Sequence, residues 1–172
     1  MPPRSHAEVA PGEPSGALTH LRSGGGIAMV DVAGKATTDR SARAEAFVRM
    51  SLATETALRE ATLAKGDAFT TAQIAGIFAA KATASLIPLA HPLPLASVEV
   101  TFEWAAAGLL RIVASARTNA PTGVELEAMT AASIAALTIY DMTKSMERGI
   151  TIESTRLLEK RGGKSGTWRR SP

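Results

Sequence analysis

The sequence contains no cysteine. That single absence removes disulfides, a thiolate nucleophile, iron–sulfur clusters and cysteine-ligated zinc together. Histidine is nearly as scarce: of the three present, His6 and His20 lie in a stretch poor in apolar residues, so no histidine-rich metal site is expected. Aromatic residues make up 4% of the chain, and no strand-like run joins them to basic residues into a stacking surface for bases. No run approaches the roughly 18 consecutive apolar residues of a membrane span, and MPPRSHAEVAPGEPSG lacks the apolar core of a secretion signal. A cytoplasmic protein is therefore expected, with neither a membrane nor a nucleic acid as partner.

What is present is a chain of 172 residues, 45% of them hydrophobic, long enough for one domain with a sizeable core. The formal net charge of +3 suits an anionic partner. Much of the excess sits near the end, in Arg161, Lys164, Arg169 and Arg170, and a basic tail alone is a weak nucleic-acid signal. Residues 1–26, rich in Pro, Gly, Ser and Ala, cannot bury enough apolar area to offset chain entropy and read as a disordered tail. Residues 27–166 read as the folded domain and 167–172 as a basic C-terminal tail.

Along the domain, Ile27–Val32 is a short strand candidate. GKATTDRSAR follows, its Lys35, Arg40 and Arg43 set among small hydroxyl residues, either a solvated basic loop or a holder of phosphate. Arg43–Ser51 alternates as a strand would, and Thr54–Ala61 fits a short helix. LAKGD then turns at Gly66 and Asp67 and presents Lys65. Ile74, Ile77, Phe78 and Leu86 recur at helical spacing over Thr70–Leu86, behind a Thr70 or Thr71 cap. In IPLAHPLPL three prolines surround His91, and Pro92 holds it extended, so the loop either aims the imidazole or buries a structural one. Ser97–Trp104 and Leu109–Arg117 alternate as an antiparallel hairpin with one wet face, and Ile150–Leu158 reads as a last strand. Hairpins and helices that are segregated point to an α+β fold, an antiparallel sheet with helices packed on one face in a ferredoxin-like layering.

The longest helical pattern, Thr122–Gly149, carries an out-of-place polar stripe. At 100° per residue, Glu127, Thr130, Thr138, Asp141 and Ser145 cluster about Ile134 with Lys144 beside them, while Met129, Ala132, Ala136, Ile139 and Tyr140 lie opposite. Both faces are expected to be covered by protein. Asp141 and Lys144, three apart, face one another across a turn, where the carboxylate keeps the ammonium charged and positioned; a surface ion pair is the plainer alternative. Glu125 and Glu127 stand at the helix start, where the dipole favours carboxylates. The rise from Glu127 to Asp141 is roughly 21 Å, too far for one small substrate. Either the two ends serve different sites or subunits bring one helix's start near another's end, and an oligomer with intersubunit sites is expected. GGKSG lacks the preceding glycine and following helix of a P-loop, yet its glycines let backbone amides and Lys164 approach an anion.

The strings KGDAFTTAQIAGIFAAK, LIPLAHPLPL, TGVELEAMTAASIAALTIYDMTK and RLLEKRGGKSG, in this order and spacing, resemble the MoaC family of molybdenum cofactor biosynthesis, over about Met29–Gly166. The resemblance implies a lyase that rearranges a 3',8-cyclised dihydroguanosine triphosphate to cyclic pyranopterin monophosphate and releases pyrophosphate. It implies no cofactor, Mg2+ being admitted only as a companion of the triphosphate, and a hexamer built as three dimers. By matching motif, Lys65 and Lys144 are the family's essential lysines, with Asp141 and His91 beside them in the catalytic set. Glu125, Leu126 and Glu127 correspond to its acidic pair and the residue between, and with His91 would bind the rings; Arg40, Lys160 and Lys164 would hold phosphate. Ala90, Pro121 and Thr143 depart from the family's usual Cys, Lys and Cys. The competing expectation is a non-catalytic nucleotide- or RNA-binding module, whose affinity would vanish on deleting 167–172.

Overall fold

The computed structural model describes residues 27–171; the disordered tail expected for 1–26 lies outside them. Residues 31–171 belong to one compact unit, and 27–30 to a separate N-terminal one. The strand expected over Ile27–Val32 is absent apart from an isolated bridge at Ile27. Asp31 diverts the chain instead: its Oδ1 accepts from the Ala33 amide at 2.9 Å, and Lys35 N bonds Val32 O at 3.0 Å. A side chain that offers the backbone a turn competes with a ladder.

The elements are β1 (Thr38–Arg49), α1 (Leu52–Arg59), α2 (Ala68–Lys81), α3 (Thr83–Leu86), β2 (Leu95–Ala106), β3 (Leu109–Ala120), α4 (Glu125–Thr143), β4 (Thr151–Arg161) and β5 (Trp168–Arg169). They form one antiparallel sheet in the order β2-β3-β1-β4-β5 with helices, so the α+β class holds. None of the described helices is long and apolar enough to cross a membrane.

β1 begins five residues before the expected Arg43, because its polar start lies mid-sheet. Arg40 pairs with Thr118 of β3 and Ser41 with Arg161 of β4, and two ladders outweigh a loop-like composition. Alternate residues then face the helices: Ala42, Ala44, Ala46 and Val48 of β1, and Leu110, Ile112, Ala114 and Ala116 of β3, are all buried. They meet Ala128, Ala131, Ala132, Ala135, Ala136 and Ile139 of α4 in one core. Each fully buried Leu, Ile or Val contributes about 1.5–3 kcal/mol, whereas the alanines mainly set how closely the helix approaches. The other face of the sheet is charged. Glu45, 1% exposed, bonds Arg111 at 2.6 Å and Arg156 at 2.5 Å.

The helix expected over Thr70–Leu86 divides at Ala82 into α2 and α3. Its cap is Asp67 rather than Thr70 or Thr71: Oδ1 accepts from Thr70 N at 3.0 Å. A short carboxylate three residues back reaches that orphan amide. Gly76 lets α2 touch α4, for a Cβ there would stand 2.9 Å from Ala131 O and 3.0 Å from Val100 Cγ2.

α4 is shorter than Thr122–Gly149, and several of its hydroxyls are satisfied within the helix. The hydroxyls of Ser133, Thr138 and Thr143 bond the carbonyls of Met129, Ile134 and Ile139. One side of the helix is open in the chain by itself: Leu126 and Leu137 are 43% and 52% exposed. Part of the stretch read as a basic tail forms β5, where Arg169 pairs with Glu159 at 2.9 Å and Arg170 Nε bonds Leu157 O at 2.8 Å.

Candidate active site

The far end of α4 and the turn after α1 bring together two lysines and one carboxylate. Lys65 Nζ lies 2.9 Å from Asp141 Oδ2 and 2.6 Å from the Asp141 carbonyl, and Lys144 Nζ lies 2.6 Å from Asp141 Oδ1. The two lysines are 39% and 50% exposed at their side chains, so the cluster opens to solvent and to any ligand. The Lys144 hydrogen bond, followed by that from Lys65, holds the Asp141 carboxyl below the usual aspartate range. In return the Asp141 hydrogen bond and charge raise Lys144 above the ordinary lysine value. Lys144 therefore rests as an ammonium held by a carboxylate.

Towards the other end of α4 lie two hollows, which Glu127, Arg40 and Lys164 line; His91, Glu125, Leu126 and Lys160 line neither. One, of about 330 Å³, is lined by Glu127 together with Lys81, Ser85, Pro92 and Pro94. Glu127 is 4% exposed, and its Oε2 has no hydrogen-bond partner among the described residues. Burial pushes its carboxyl up, and the charge of Glu125 adds to the effect. An acceptor kept dry without a donor stores a desolvation cost that a ligand's N–H groups can relieve. His91, half-buried, immediately precedes Pro92 of this hollow.

The second hollow, about 760 Å³, is lined by Lys35, Arg40, Pro121, Gly123, Gly163 and Lys164 among others. Arg40 projects from β1, its Nη2 donating to the Pro121 carbonyl at 3.2 Å while Nε, buried, has no acceptor among the described residues. Gly163, at φ 73°, makes room for it: a Cβ there would fall 2.0 Å from Arg40 Nη1. The glycines before Lys164 thus serve close approach of a guanidinium. Lys160 Nζ bonds the hydroxyl of Ser165, which also lines the hollow. Glu125 folds over Gly123, where a Cβ would meet its Oε2 at 1.8 Å. Leu126 points outward, half-exposed.

The MoaC family model matches residues 29–163, which is most of the chain. The chain belongs to the MoaC family. Among curated relatives, the cyclic pyranopterin monophosphate synthase of Novosphingobium aromaticivorans is 53% identical over 152 residues, spanning 88% of this chain and 96% of that protein.

In this member of the MoaC family, Thr143, Ala90 and Pro121 each have a structural part. Thr143 is wholly buried and bonds Ile139 O, and Ala90 is buried where its amide bonds Ile87 O at 3.0 Å. Pro121 supplies the carbonyl that accepts from Arg40. Sequence reasoning joined Asp141 to Lys144 by their spacing, but Lys65 reaches them across 76 positions that no periodicity bridges. It missed Lys81 and Ser85 in the Glu127 hollow; Lys81, ending the AAK string, was the signal at hand.

Proposed function

We propose that this member of the MoaC family is a cyclic pyranopterin monophosphate synthase, a lyase acting on the 3',8-cyclised dihydroguanosine triphosphate and releasing pyrophosphate. The observation that carries the reading is the Lys65–Asp141–Lys144 cluster. Ring opening, pyran closure and cyclic phosphate formation each move protons, and an ammonium held charged by a carboxylate serves as the acid. Lys65 and Lys144 are the catalytic pair and Asp141 orients both, while His91, at the Glu127 end of α4, joins them only where copies of the chain share a site. Glu125, Leu126 and Glu127 receive the rings, with the dry Glu127 oxygen accepting from a guanine-type N–H. Arg40, Lys160 and Lys164 hold the phosphates, which cations must neutralise as pyrophosphate departs. No cofactor enters, and Mg2+ accompanies only the triphosphate. The cytoplasm is its place of action.

The two ends of α4 work together only if copies of the chain share a site. Support comes from the roughly 21 Å between Glu127 and Asp141 and from the apolar residues left open on the helices, Ile74, Phe78, Leu126 and Leu137. A homo-oligomer with intersubunit sites follows, a hexamer of three dimers in this reading. The β-α-β-β-α-β order of the main elements supports a ferredoxin-like layering.

Incubating the protein with the cyclised nucleotide tests the activity: cyclic pyranopterin monophosphate and pyrophosphate are expected in equal amounts. Lys65→Ala or Lys144→Ala is expected to abolish turnover while leaving the circular dichroism spectrum unchanged; near-normal turnover in both variants refutes the assignment.

A further inference from the structure

The turn that follows α4 is fastened to the start of α1 by one carboxylate. Glu147 Oε2 accepts from the Thr54 hydroxyl at 2.7 Å, the Ser51 hydroxyl at 2.8 Å and the Ser51 amide at 2.9 Å. Ser51 is itself the N-cap of α1, its Oγ accepting from Thr54 N at 3.3 Å. A serine cap satisfies one orphan amide, and its own hydroxyl needs an acceptor; Glu147 accepts from that hydroxyl and from the cap residue's amide as well. The Thr54 and Ser51 bonds hold the Glu147 carboxyl below the usual glutamate range, so it stands ionised at a helix N-terminus, where negative charge is favoured.

α1 leads to the other lysine. Beyond its end the chain turns back at Ala61, φ 52°, where Thr62 N bonds Ala57 O at 3.1 Å. A further turn, Gly66 N to Leu63 O at 3.0 Å, presents Lys65 to Asp141. A ring of covalent and hydrogen bonds therefore closes through Asp141, Lys144, Glu147, Ser51, α1 and Lys65. Lys65 takes its place from α1 and Lys144 closes α4, its amide bonding Tyr140 O at 2.8 Å, and Glu147 is the link that ties the turn after Lys144 to α1.

We propose that Glu147 is a positioning residue of the active site, which sets the place of Lys144 against Asp141 and Lys65 without touching the substrate. This rests on the assignment of the two lysines made above. Nothing in the composition of SMERG suggests it, since the residue reads as one more charge in a polar turn.

The test uses the full-length chain with Glu147→Ala and Glu147→Gln, and Ile112→Val as a core variant that loses stability away from the site. Two quantities are read: kcat and KM on the cyclised nucleotide, and the titration of the Lys144 amine by nitrogen-15 NMR without substrate. Glu147→Ala is expected to lower kcat on the order of 10- to 100-fold, the cost of a small misplacement, with KM changed less than about threefold. The Lys144 amine should titrate lower, towards an ordinary lysine, as its hold on Asp141 loosens. Glu147→Gln keeps an acceptor for both hydroxyls and should recover most of kcat, and Ile112→Val should move neither quantity. Should the alanine variant not fold, Glu147→Asp, one methylene shorter, is expected to show the same shifts in smaller measure. Unchanged kcat and unchanged Lys144 titration in the folded variants overturn the proposal. An inactive wild-type chain would overturn the assigned reaction instead, and the amine titration would still decide the role of Glu147.

Discussion

Replacing Gly163 with alanine asks whether Arg40 holds a phosphate. The new methyl would sit 2.0 Å from Nη1 and 2.7 Å from Cζ of Arg40, so the guanidinium must retreat by roughly 1.5 Å to reach ordinary contact. Its bond to the Pro121 carbonyl, 3.2 Å long, is lost on the way. The left-handed backbone costs alanine about 1 kcal/mol and the hydrogen bond about another 1 kcal/mol. Some 2 kcal/mol in all corresponds to a Tm lower by about 4–8 °C in a chain of this size. Gly166→Ala is the matched control: φ is 61° there and no atom lies within 4 Å of the added methyl, so only the backbone cost applies, about 2–4 °C. A charge-assisted bond from Arg40 to a phosphate oxygen is worth about 1.5–3 kcal/mol. Gly163→Ala should therefore raise KM for the cyclised triphosphate by about 10- to 100-fold, while Gly166→Ala leaves it unchanged. Calorimetry gives the two Tm values and initial rates give the two KM values. Equal KM in both variants would refute a phosphate role for Arg40 while leaving its structural part intact.

Two further outcomes follow from other parts of the fold. The buried Glu127 carboxyl has a folded pKa above its ordinary 4.5. The wild-type chain is thus not penalised below that value and loses stability as pH rises from it through the folded pKa. Glu127→Gln should abolish this decline, making the free protein more stable at pH 7 yet weaker for substrate; a parallel Tm–pH curve for both proteins would contradict the burial argument. Phe78→Asp on the open side of α2, where the ring is 66% exposed, should shift the sedimentation coefficient towards a monomer and reduce turnover, and a fully active monomer would dismiss shared sites.

How far the sequence speaks depends on whether a signal is local. The β2–β3 hairpin was legible because one face is buried and the other wet, and the pattern even survives in Val100, Phe102 and Trp104. The first half of β1 was not, since Thr38–Arg43 owes its extended state to the β3 ladder, joined from Ser41 onward by β4, rather than to its own residues. Asp67 was passed over as a cap because two threonines beside it are also capping types. α4 was overextended because the helical pattern runs on past Thr143, while the chain is pulled aside there by the bonds of Glu147 to α1. In the site, Asp141 and Lys144 were readable from one helical turn. Lys65, Arg40 and the glycines that admit Arg40 are joined only through the sheet and the loops; the family resemblance named Lys65 and Arg40, while the glycines, read as opening backbone amides and Lys164 to an anion, were not expected to make room for Arg40.

Alanine dominates the layer between α4 and the sheet. A methyl group has no rotamers, so this layer has nothing to rearrange when a ligand arrives at either end of the helix. The helix behaves as a beam seated on bare backbone, with Gly76 admitting the neighbouring helix to van der Waals contact on its flank. The interval between the lysine cluster and the acidic hollow is accordingly a fixed length of the molecule. Any ligand that met both ends would have to be fitted to that interval from outside, because the helix itself has no means of adjusting it.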